Sequence, residues 1–124
     1  MLTIQVSILA REETLPPLGL PPDPQRDRAF ATVFLRLENP RAIRQTLTLE
    51  AIDIRSEPER QPEPFAFEPR VLALQPLEHA VIDIHLSKPT PFRAKDRLRA
   101  TVRYRLGDQP EAMVASDAVA IERR

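Results

Sequence analysis

Fourteen prolines punctuate this 124-residue chain, from Pro16 to Pro110, and their spacing decides most of what it can fold into. A proline inside a helix removes a hydrogen bond and collides with the preceding turn. Inside a central strand it removes a ladder donor. The elements must therefore be short and must end near prolines. Apolar side chains stand at i, i+3, i+4 and i+7 only at Phe30-Val33-Phe34-Leu37 and Leu77-Ala80-Val81-Ile84, and both sets lie in runs that alternate more strictly. Alternation with a period of two fills the intervals instead, and that is the signature of half-buried strands.

Leu2, Ile4, Val6 and Ile8 share one parity, with Thr3, Gln5 and Ser7 on the other. Across 29–38, Ala31, Val33, Leu35 and Leu37 lie on one face. Leu47 and Leu49 then alternate with threonines, but Ile52 and Ile54 fall on the opposite parity, so the spacing predicts a β-bulge near Ala51. Phe65 and Phe67 form a very short strand closed by Pro69, and Val71–Leu74 forms another. Ala80, Ile82, Ile84 and Leu86 mark a further inward face, as do Leu98, Ala100, Val102, Tyr104 and Leu106. Gly107–Pro110 is a turn. Met113–Ile121 returns as the last strand, and Asp117 would point inward unless a bulge intervenes near Ser116.

Seven to eight short strands with turn signals between them predict one all-β domain over residues 1–124. Its expected form is an antiparallel β-sandwich without substantial helix. A barrel is the alternative, but the parity breaks suit a sandwich better. The first strand, tethered by a Pro-rich linker at 15–28, is expected at a sheet edge. There it offers a route to a homodimer.

Composition removes several classes of function. There is no Cys, which excludes disulfides, zinc–thiolate sites, iron–sulfur clusters and thiol catalysis. Gly19 and Gly107 are the only glycines, too few for a phosphate-cradling loop. Acidic and basic side chains balance at 18 each, which argues against nucleic-acid binding by bulk charge. With no Trp and one Tyr, stacking platforms for sugars or single strands are lacking. No cofactor and no metal are expected. Leu2–Leu9 has no basic region before it and no cleavage site after it, and no apolar run nears the roughly 20 residues of a membrane helix. With Met1 as the native start, the expectation is a cytoplasmic protein without membrane insertion. Arginine accounts for 16 of the 18 basic residues, a bias that fits a GC-rich bacterial source.

The run Phe34-Leu-Arg-Leu-Glu-Asn39-Pro40 closes a strand on an Asn turn. Later, Phe67-Glu-Pro69-Arg-Val71-Leu-Ala-Leu74-Gln-Pro76-Leu-Glu78 precedes the alternating Val81–Leu86. Over roughly residues 30–106 this pattern resembles immunoglobulin-like bacterial modules of the adhesion, pilus-chaperone and major-sperm-protein kind. The resemblance implies the fold. It assigns no activity, and no subunit-binding residues of the chaperones are carried over.

His79 and His85, six apart, lack the spacing of a zinc pair. Asp83 and His85 share a strand face, and with Ser87 or Ser116 they would supply the groups of a triad. A solvated outer face is the simpler reading, so the chain is expected not to be an enzyme. Glu57, Glu59 and Glu63 read as a solvated acidic loop. Five prolines within 16–24 enforce an extended segment on which Leu15, Leu18 and Leu20 ride. These leucines either cover the open end of the sandwich or dock a partner. Finally, Arg97, Arg99, Arg103 and Arg105 share the outward parity of one strand. They are matched by acids on neighbouring strands, or they read an anion. The expected function is a non-catalytic protein-interaction or assembly module, binding an acidic partner through the arginine-lined strand, with Leu18 and Leu20 as a second contact. A nucleic-acid-binding protein or a small enzyme is the rival reading.

Overall fold

The computed structural model describes residues 2–13, 19 and 26–123. Within them the chain forms nine strands: β1 Thr3–Glu12, β2 Ala29–Glu38, β3 Gln45–Glu57, β4 Pro62–Glu63, β5 Arg70–Leu74, β6 His79–Lys88, β7 Arg97–Leu106, β8 Ala112–Ala115 and β9 Val119–Arg123. There is no helix among the described residues. The strands join in one curled, mixed sheet with the order β4-β3-β7-β9-β1-β2-β6, with β5 beside β3 and β8 beside β7. Every pairing is antiparallel except β1 with β9, which is parallel over Ala10–Glu12. The expected all-antiparallel arrangement is corrected there.

Strand count and boundaries depart from expectation for local reasons. The last strand divides at Ser116, whose hydroxyl accepts from Ala100 N (3.0 Å) and donates to Asp117 O (2.8 Å). That detour resets the parity. Val114 lies inward before it, Val119 and Ile121 lie inward after it, and Asp117 stays exposed. The bulge expected near Ala51 is present as a register shift between Leu49 and Ala51 against β7. Phe65 and Phe67 form no strand; pairing in that region falls on Pro62 and Glu63, opposite Arg55 and Ile54. Both phenylalanines still pack on the core through their shared parity.

The first strand is an edge only in part. Thr3–Leu9 pairs with β2 alone, whereas Ala10–Glu12 is flanked by β2 and β9 together. Burial follows: Ile8 and Ala10 are buried, and Ile4 and Val6 are half-buried. The core they join is a continuous aliphatic cluster of Val33, Leu35, Leu37, Leu47, Leu49, Leu98 and Val102, each fully buried. Two polar networks close its ends. At one end Asn39, 1% exposed, donates from Nδ2 to Ile43 O and Gln75 O (both 2.8 Å). Its Oδ1 accepts from Arg41 N (3.1 Å) and from Gln45 Nε2. The loops 40–44 and 75–78 are thereby tied together. At the other end, Glu63 and Glu12 anchor the segment 89–96.

Candidate interaction surface

The arginine face rests on β7, because alternation turns Arg97, Arg99, Arg103 and Arg105 outward while Leu98, Ala100 and Val102 are wholly buried. Three of the four meet carboxylates from neighbouring segments. Arg99 Nε lies 3.4 Å from Glu57, Arg103 Nη1 3.6 Å from Glu111, and Arg105 Nε 3.3 Å from Glu50. These approaches are long for ion pairs, and the side chains keep 44–49% of their exposure. Arg97 has no ion-pair partner among the described residues. Arg55, on β3 opposite Arg99, is bound by Asp53 (2.7 Å). Sequence topology offers Glu50, Asp53, Glu111 and Glu122 as the acids nearest this stripe; Glu50 and Glu111 meet it, and Asp53 binds Arg55 instead. Glu57 was not anticipated, because the bulge at Leu49/Ala51 sets which β3 side chains reach which arginine.

Leu18 and Leu20 lie outside the described residues, as does Leu15.

Glu63 corrects the reading of a solvated acidic loop. Its carboxylate is fully buried, binds Lys88 Nζ (2.8 Å) and accepts from Arg93 N (3.0 Å) and Ala94 N (2.6 Å). Lys88 also sits 5.2 Å and 5.6 Å from the ring centres of Phe65 and Phe92. The nearby Glu12 accepts from Phe92 N (2.8 Å) and from Arg123 Nε (3.0 Å). The signal in the sequence for Lys88 is its inward parity on β6. These groups satisfy one another, and the cluster reads as a brace for 89–96.

On the opposite outer face, β1, β2 and β6 build five cross-strand rungs, among them Arg11–Phe30–Ser87, Leu9–Thr32–His85 and Ser7–Phe34–Asp83. Shallow grooves of about 530 Å³ and 480 Å³ cross this face. His85 Nδ1 is 3.1 Å from Thr32 Oγ1, and Ser87 donates to Asp27 (2.7 Å). Ser87 thus directs its proton away from His85, and no serine–histidine–aspartate relay forms on β6. Among the described residues, no three His, Asp or Glu side chains converge as a metal site. None of the described residues forms a helix long and apolar enough to cross a membrane.

No protein-family model matches the chain, and no curated protein matches it. Among solved structures, it is similar to one described as the "Putative ApaA Protein" from Bordetella pertussis, at 15% identity and a TM-score of 0.46. That likeness covers 98% of this chain and 94% of the other.

Proposed function

We propose that this chain is a non-catalytic interaction or assembly module. In this reading the curled sheet closes on itself as an immunoglobulin-like β-sandwich, and the outer side of β7 receives an acidic protein partner. One observation carries the proposal: the guanidinium groups of Arg99, Arg103 and Arg105 are held loosely, with approaches of 3.3–3.6 Å to their acids and 44–49% of their surface exposed. Exposed pairs of this kind contribute about 0–1 kcal/mol, so a partner's carboxylates can replace them at little cost. Arginine forks bind carboxylates through two nitrogens, a geometry lysine does not match. Arg97 adds a fourth fork that the fold leaves unmatched among the described residues.

The test is Arg99→Glu combined with Arg103→Glu. The double variant is expected to fold with an unchanged melting profile, because both side chains are half-exposed. It should lose capture of a stoichiometric protein from native lysate, and capture by the unaltered chain should weaken as salt rises. Capture that survives both changes moves the interface elsewhere. Capture that disappears on nuclease treatment supports nucleic acid as the ligand instead.

A further inference from the structure

β6 is the outermost strand of its side of the sheet, ten residues long, with neither a proline nor a bulge. The direction of its backbone groups follows from one bond. Asn39 N donates to Glu78 O (2.9 Å), continuing the register in which Glu38 faces His79. Hydrogen-bonded pairs alternate along an antiparallel ladder. Ala80, Ile82, Ile84, Leu86 and Lys88 therefore direct their N–H and C=O groups to β2. His79, Val81, Asp83, His85 and Ser87 turn theirs to the edge that no described strand pairs with.

Long open edges of this kind invite another strand unless a charge, proline or bulge guards them. The one inward charge, Lys88, is neutralised by Glu63 and guards nothing. Outward, Asp83 faces Phe34 across the ladder and has no ion-pair partner among the described residues. His85, two residues on, makes its only side-chain bond among the described residues through Nδ1 to Thr32, which leaves Nε2 facing away.

We propose that β6 pairs antiparallel with β6 of a second copy of this chain, about a two-fold axis through Ile84. This register sets Asp83 opposite the second copy's His85, and His85 opposite the second copy's Asp83. Both are hydrogen-bonded positions. Val81 and Ser87 pair in the same way, while Ile84 meets its own counterpart and Ile82 meets Leu86 on the inner face. Sliding the strand by one residue sets outward-facing backbone groups against groups already bonded to β2. Sliding by two sets Asp83 against Asp83 or His85 against His85. Asp83 opposite Asp83 sets like charges together, and His85 opposite His85 leaves each Asp83 without an imidazole across from it, so the register centred on Ile84 is selected. A two-fold contact also requires a self-complementary surface, and an acid and a base placed symmetrically about the axis supply one. Thr3–Leu9 of β1, which pairs with β2 alone, carries no charge that chooses a register. This dimer does not depend on the arginine face and leaves it open.

The test is sedimentation equilibrium of the full chain, with circular dichroism confirming the fold of each variant. The unaltered chain should sediment at twice 14.1 kDa. His85→Asp places carboxylates opposite one another at two positions and should raise the dimer dissociation constant about tenfold. The double variant Asp83→His with His85→Asp restores both pairs in reversed order and should dimerise again. Val81→Pro removes an outward N–H without touching a bond to β2 and should weaken the dimer independently of charge. A chain that stays monomeric at millimolar concentration overturns the proposal. So does a dimer of unchanged strength in His85→Asp or Val81→Pro, or a charge-reversed variant that remains a monomer.

Discussion

Replacing Glu63 by Ala should be among the most destabilising single substitutions in the chain, although the residue belongs to a two-residue strand in a Pro-rich stretch. Three donors lose their acceptor at once: the Lys88 ammonium at 2.8 Å, Arg93 N at 3.0 Å and Ala94 N at 2.6 Å. The ammonium weighs most, because its side chain is only 7% exposed. Removing one partner of a buried ion pair costs about 3–5 kcal/mol. Each backbone N–H left unpaired adds on the order of 1–3 kcal/mol, reduced where water enters the vacated space. Non-additivity and partial hydration bring the expected loss to about 4–5 kcal/mol, a large share of the roughly 5–15 kcal/mol that holds a domain folded. An unfolding entropy of roughly 2.1 cal/mol/K per residue converts a loss of about 4 kcal/mol into a fall of about 15 °C in melting temperature.

Urea unfolding followed by circular dichroism measures this loss, with an unchanged slope marking an effect on stability alone. Lys88→Met should also destabilise, because it leaves the carboxylate buried with only two backbone donors. The double variant should cost clearly less than the two single losses together, since neither charge is then left alone. A Glu63→Ala loss below about 1 kcal/mol would refute the reasoning, because it would mean that Lys88 and the 93–94 amides already reach water. Strict additivity in the double variant would refute the pairing itself.

Asn39→Ala should cost about 2–4 kcal/mol, since the amide serves several loop carbonyls and one backbone N–H from a fully buried position, and calorimetry reads the loss directly. Asn39→Asp should be damaging as well, because a carboxylate cannot donate to Ile43 O and Gln75 O. Deleting residues 1–10 should destabilise the domain by several kcal/mol, because it strips β2 of most of a full-length ladder and removes buried Ile8. A truncated chain that melts with the intact one would show that β1 contributes no net packing.

The all-β character was legible because proline spacing forbids long helices and period-two alternation states which side of each strand meets the core. Such signals are local and survive without knowledge of neighbours, so the inward faces of β2, β6 and β7 follow residue by residue. The bulge near Ala51 and the break at Ser116 were legible for the same reason: a parity change must be accommodated where it occurs. The parallel contact of β1 with β9 was not. Which strands become neighbours depends on how the sheet curls, and the crossing by Val119–Arg123 leaves no mark on the period of either strand. Glu63 was hidden as well. A glutamate beside two prolines carries every surface signal, and only the arrival of Lys88, 25 residues later, makes its burial affordable. The arginine row on β7 follows from alternation, and Glu50 and Glu111 were within reach of topology, but which acid meets which arginine, and Glu57 in place of Asp53, follows from register, and register is a property of paired strands. Parity is written into the chain because it belongs to one strand at a time. Adjacency, and with it every pairing of charges, belongs to two, and only the folded structure decides it.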